Sequence, residues 1–199
     1  MKKILFLFLA ACFFFSCEKE TIVIPQQHAG RTVLAFFWAD NSLNSSLRDN
    51  IQTMMQGLQA MKDSAALLVY WDGEASDISW PEPCIVEYVT NGQGGINSLS
   101  KGTIDAMMAD KNTSIYDLIG IGNIRKKYPP QTSTEKTVMQ TVIGDMMSAY
   151  PSESYGIIFG SHGSGWLPTI TGTRSIGQDG GRYSSDTALI PELAEVLRT

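Results

Sequence analysis

Two stretches of this chain run apolar with no alternation, and that limits the fold more than any other feature. They are Thr32-Val-Leu-Ala-Phe-Phe-Trp38 and Ala65-Ala-Leu-Leu-Val-Tyr-Trp71, and Ser154-Tyr-Gly-Ile-Ile-Phe-Gly-Ser161 reads as a later strand. A strand with one wet face alternates apolar and polar residues. A short continuous apolar run reads instead as a strand covered on both faces. Such strands need layers of helix above and below them.

The segments between supply those helices. Leu43, Leu47, Ile51, Met54, Met55, Leu58 and Met61 recur at spacings of three and four, which is one apolar helix face. The methionines follow the same spacing and read as core filler. Asp40-Asn41-Ser42 stands before that helix and offers capping oxygens. Thr132-Ser-Thr-Glu135 matches a capping box, and Val138, Val142, Met146 and Tyr150 form a second stripe that should end at Tyr150-Pro151. Leu189, Leu193 and Leu197, with Ile190 and Ala194, give the face of a last helix. Cys84-Ile-Val-Glu-Tyr-Val89 partly alternates and reads as a further strand nearer an edge. Residues 91–130 are the least legible, with short helical turns expected near 101–110 and 114–127. A polar, Gly-rich loop is expected over 167–185. Strands alternating with helices imply an α/β fold: a mainly parallel sheet flanked by helices on both faces. One such domain covers 32–199.

The chain opens as an address. Met1-Lys2-Lys3 precedes an apolar run from Ile4 to Phe15, the pattern of a secretory signal and too short for a membrane-spanning helix. Leu9-Ala10-Ala11-Cys12 fits a bacterial lipobox but leaves little apolar chain before it. Phe14-Phe15-Ser16-Cys17 stands at the natural end of the run, where Glu18-Lys19-Glu20 follows. The reading is a lipoprotein signal over 1–16, lipidation at Cys17, and a tether over 17–31 in which His28 is solvated. Cys12 is the other choice of lipidation site, and an ordinary secretory signal is the plainer alternative. Lipidation at Cys17 would make a bilayer of the bacterial cell envelope a partner.

Composition excludes several classes. The net charge is −5, and loss of residues 1–16 with their two lysines takes it to −7. An acidic chain with no basic cluster is poorly suited to nucleic acid. Two histidines cannot make a His-rich metal centre, and three cysteines, only one of them within the expected fold, cannot make a disulfide scaffold. No metal or cofactor signature is present. Gly120-Ile-Gly122-Asn-Ile-Arg125 lacks the third glycine of a dinucleotide loop, and neither Ser161 nor Ser164 sits in a nucleophile elbow. Cys84 follows Pro83 at a strand start and reads as packing.

In open parallel sheets chemistry collects where the strands end. Here the first strand runs into Asp40-Asn41, the second into Asp72, and the fourth into His162-Gly163. A histidine at such an end can act as a general base, and the N–H after it can hold a developing oxyanion. A rim histidine that only caps a loop fits the same residues.

The run Tyr155-Gly-Ile-Ile-Phe-Gly-Ser-His162-Gly-Ser-Gly-Trp166-Leu-Pro168 resembles the histidine block of the clostripain-type cysteine peptidases, which share the caspase and gingipain fold. Val33 to Leu43, Leu67 to Gly73, and Arg174-Ser-Ile-Gly-Gln-Asp179 are similar to further parts of that family. The resemblance implies that His162 is the catalytic base, that Gly163 lends its N–H to the oxyanion hole, and that the substrate is a protein or peptide cut after Arg or Lys. Asp40, Asn41, Asp72 and Asp179 would lie on the site rim. Calcium dependence and self-cleavage occur in the family, but no residue here can be assigned to either.

The resemblance also implies a nucleophilic cysteine on a strand after the last helix. No cysteine follows His162. The expectation is a sheet incomplete at its C-terminal side, a chain inactive alone, and a gene fragment or one half of a pair completed by a second, C-terminal polypeptide. The alternative is a non-catalytic surface lipoprotein that keeps the fold as a binding or assembly module. A hydrolase that uses His162 with a serine or an acid is a third class.

Overall fold

In a computed structural model of the chain, residues 30–63, 65–73, 82–90, 92–110, 112–162, 175–179 and 186–198 are described. The leader 1–16, Cys17 and nearly all of the tether lie outside them.

Alternate side chains of β1 (Arg31–Trp38) enter two separate cores, which is why the run needs no polar residue. Ala35 and Phe37 pack on one face with Leu47, Ile51, Met55 and Leu58 of α1 (Asn44–Ala60). Leu34, Phe36 and Trp38 pack on the other with Met139, Val142, Ile143 and Met146 of α4 (Lys136–Ala149). Every residue of β2 (Ala65–Asp72) is buried. The first face also carries α2 (Lys101–Ala109) and α3 (Ile115–Ile121), and the second carries α5 (Ile190–Val196). Helices therefore cover both faces, as the unbroken apolar runs require. The four core residues of α1 contribute about 1.5–3 kcal/mol each. That outweighs the missing side-chain cap at its first turn, worth about 1 kcal/mol.

β3 (Cys84–Val89), β4 (Asn123–Lys127) and β5 (Tyr155–Gly160) complete a five-stranded sheet in the order β4-β3-β2-β1-β5. β1 pairs parallel with β2 and β5; β3 is antiparallel to β2, and β4 to β3. Four of the five strands thus point the same way, and the sheet is mainly parallel as expected. Among the described residues β5 forms one edge, with Ile158 exposed. A hairpin of β6 (Ser175–Asp179) and β7 (Asp186–Leu189) forms a separate two-stranded sheet.

Several local expectations are corrected. The turn expected over 114–127 is helical only to Ile121, and residues 123–127 form the edge strand β4. Its charged sequence suits an edge, and Arg125 binds the buried Glu87 carboxylate through Nε at 2.7 Å and Nη2 at 2.8 Å. Cys84–Val89 lies one strand in from the edge, which β4 itself forms. The box at Thr132–Glu135 does not form, because α4 begins at Lys136 and Glu135, not Thr132, stands at its N-cap; the Ser133 hydroxyl is buried against Tyr70 Oη at 2.6 Å. Ser114 and Asp117 make a capping box instead, at α3. The loop expected over 167–185 contains β6, and Leu189 belongs to β7. Leu193 and Val196 form the buried face of α5, while Leu197 is exposed.

Candidate functional site

The sheet reverses its winding at β1. From β1 the chain crosses through α1 on one face to β2. It returns through α4 on the other face to β5, on the opposite side of β1. The two connections diverge beyond the ends of β1 and β5 and leave a crevice there, where ligands of open α/β sheets bind. Register puts Phe37 beside Gly160 and Trp38 beside Asp72. The residues just past these positions are therefore level on one rim.

Two consecutive residues of the β1–α1 loop engage two consecutive residues past β5. Asn41 Nδ2 donates to Trp38 O at 2.7 Å and to Ser161 Oγ at 3.2 Å. Ser42 Oγ lies 2.9 Å from His162 Nε2. Asn41 Oδ1 accepts the Leu43 N–H at 2.9 Å, which closes a turn around Ser42. His162 is half-buried and Ser42 exposed, so the imidazole sits in the mouth of the crevice.

The other rim residues divide. Asp40 is nearly buried just past β1. Asp72 is buried at the last position of β2, and its carbonyl accepts the Ala39 N–H at 2.7 Å. Asp72 is two strand spacings from β5, roughly 10 Å, so it borders the crevice at a distance from His162. Asp179 ends β6, opposite Asp186, not in a loop. The hairpin packs against the site's floor: a Cβ at Gly177 would come within 3.0 Å of the Trp38 ring, and Trp38 stacks on Phe159 at 5.6 Å. Gly163, Trp166 and Arg174 lie outside the described residues.

Because β3 is antiparallel, Cys84 stands beside Trp71 at the rim end of the sheet, although it begins its strand. It is still no partner for His162. Three strand spacings separate β3 from β5, roughly 14 Å. Burial pushes its thiol up to about 11, Lys127 lowers it in part, and Asp72 and Glu82 raise it further. Among the described residues no group of three His, Cys, Asp or Glu side chains could hold a metal ion.

Sequence reasoning missed Ser42 and undervalued Asn41. Both read as capping residues, yet α1 has no side-chain cap and their hydrogen bonds cross to β5. The available signal was a run of short polar residues placed where the first strand ends.

Comparisons with known proteins agree on one family. The model of the clostripain family, Peptidase C11, matches residues 35–199. A B. fragilis cysteine protease is similar in structure, with a TM-score of 0.50 and 27% identity over 71% of this chain and 95% of that one. A secreted C11 cysteine protease from Bacteroides thetaiotaomicron, solved in complex with an irreversible peptide inhibitor, has a TM-score of 0.56 and 27% identity. That match covers 85% of this chain and 39% of the other, so the chain spans well under half of that relative. No curated protein matches the chain.

Proposed function

As the chain belongs to the clostripain family, we propose that it carries the histidine-bearing part of a cysteine endopeptidase that cuts after Arg or Lys. The observation that carries this reading is the place of His162: past the end of β5, at the reversal point of the sheet, with Nε2 held by Ser42 Oγ at 2.9 Å.

In this reading His162 takes the proton of a cysteine thiol, and the thiolate attacks the scissile carbonyl. The Gly163 N–H holds the oxyanion. Collapse of the tetrahedral intermediate breaks the C–N bond, the leaving amine takes the proton from the imidazolium, and water hydrolyses the thioester. The thiol comes from a segment outside this sequence, since Cys84 is buried and too far away. The edge of β5, with Ile158 exposed, suits pairing with that segment as a neighbouring strand. Cys17 carries the lipid that holds the protein at a bilayer of the cell envelope.

The test compares this chain alone with this chain co-expressed with the segment encoded downstream of it. Substrates are fluorogenic peptides ending in Arg or Lys. Alone, the chain gives no thiol-dependent hydrolysis; together they do, and His162→Ala abolishes it. Thiol-dependent turnover by the chain alone overturns the division of labour. A binding or assembly module is the outcome if the downstream DNA encodes no strand ending in cysteine. Metabolic labelling with a radioactive fatty acid, lost on Cys17→Ala, tests the anchor.

A further inference from the structure

The contact between Ser42 and His162 determines which ring nitrogen can accept a proton. The imidazole has two nitrogens, and a neutral ring carries one N–H. The hydroxyl at 2.9 Å from Nε2 could give its proton to that nitrogen or accept the ring's N–H. If it gave, the neutral ring would hold its own proton on Nδ1, and that nitrogen could not act as a base. If it accepted, Nε2–H would be satisfied and Nδ1 would keep a bare lone pair. Only the accepting arrangement also fits the protonated ring, in which both nitrogens donate.

The surroundings favour a fixed acceptor at Ser42. The residue before it is tied to Trp38 O and Ser161 Oγ, and the residue after it donates its N–H to Asn41 Oδ1. Ser42 therefore sits between two anchored neighbours, and Ser161, the residue before His162, is anchored by the same Asn41 side chain. Ser42 itself is exposed, so its own O–H proton can be given to water while its lone pair faces the ring.

We propose that Ser42 is a positioning residue: its Oγ accepts from His162 Nε2–H, holds the ring in that tautomer, and so assigns proton acceptance to Nδ1. The assignment of a working nitrogen rests on the peptidase reading; the tautomer does not. Proton transfer then breaks a thiol S–H bond and forms Nδ1–H. The Nε2–H···Oγ hydrogen bond persists throughout, and the ring need not turn.

The experiment is long-range 1H–15N correlation of the full chain, uniformly labelled with 15N, about two pH units above the ordinary imidazole value. His28 is the other histidine in the chain, and His162→Gln identifies the signals. The wild-type ring shows Nε2 protonated and Nδ1 bare. Ser42→Ala moves the tautomer ratio about three- to tenfold toward Nδ1–H, the size of one ordinary hydrogen bond. Ser42→Thr restores the wild-type ratio. Circular dichroism and thermal unfolding show the variants folded, as expected for an exposed loop position. Wild-type protein with Nδ1 protonated overturns the proposal and points instead to a serine poised to give its proton to Nε2. So does a ratio that Ser42→Ala leaves unchanged. Loss of the peptidase reading in the co-expression assay leaves the tautomer result standing, so the two failures are separable.

Discussion

Asn41 and Ser161 join the ends of two strands that are 120 residues apart in the chain, through a single Nδ2–H···Oγ hydrogen bond of 3.2 Å. The same nitrogen holds Trp38 O at 2.7 Å. The Asn41 side chain is therefore a clasp over the crevice, and His162 hangs from its far end.

Asn41→Ala is expected to cost about 1–3 kcal/mol in denaturant unfolding, since it leaves a half-buried carbonyl and hydroxyl without their donor. Asn41→Asp keeps the shape but cannot donate to Trp38 O, so it does not rescue. Hydrogen exchange at residues 160–162 should quicken in both variants. Wild-type exchange there in Asn41→Asp would contradict the clasp.

Gly160 precedes Ser161 because nothing larger fits. An added Cβ would lie 2.6 Å from Phe37 Cδ1 and 2.7 Å from Leu47 Cδ2, both in the packed core. Gly160→Ala should destabilise by about 1–3 kcal/mol and shift His162 away from Ser42. Gly156, on the same strand, has open space around its Cα, and Gly156→Ala should stay within about 0.5 kcal/mol. Equal effects of the two substitutions on the unfolding midpoint would rule out the steric account.

The Glu87 carboxylate is 1% exposed and is held by Arg125. Asn123 Nδ2 adds one contact at 3.3 Å. Arg125→Ala should cost on the order of 3–5 kcal/mol, because a buried charge loses its partner. The double variant Glu87→Gln with Arg125→Met should recover most of that loss. A double-mutant cycle in urea measures it, and additive losses would show that the pair is not coupled.

Cys84 supplies a pH signature. Its thiol titrates near 9.0 when unfolded and near 11 when folded, chiefly through burial. Below pH 9 both states keep the proton, and its contribution to stability is fully present. Between those values the unfolded chain loses the proton more readily than the folded one, so stability falls as pH rises. The loss should approach about 2–3 kcal/mol across the window. Cys84→Ala should remove this component. Parallel pH profiles for wild type and variant would show the thiol to be exposed.

The layered architecture was legible because burial on both faces leaves a mark that needs no knowledge of neighbours. Thr32 to Trp38 and Ala65 to Trp71 can be strands only between two helical layers, and Leu47, Ile51, Met55 and Leu58 name the helix face that covers one of them. His162 was legible as a site residue for a related reason: it follows an apolar strand, and strand ends gather on a rim.

Pairing and partnership depend on residues distant in sequence. Asn123-Ile-Arg-Lys-Lys127 has no apolar run, and it is a strand because Glu87 lies across from it and an edge tolerates charge. Thr132 to Glu135 has the pattern of a cap, but the helix starts only at Lys136, one turn later than that pattern requires. Ser42 looks like a helix-capping residue until β5 is laid beside β1, when it meets His162 across 120 residues of chain. The sequence by itself therefore determined the layers and the rim, since periodicity records how much of each element is covered. Only the tertiary structure decided which polar groups meet on that rim, because a hydrogen bond depends on distance in space and leaves no periodic trace along the chain.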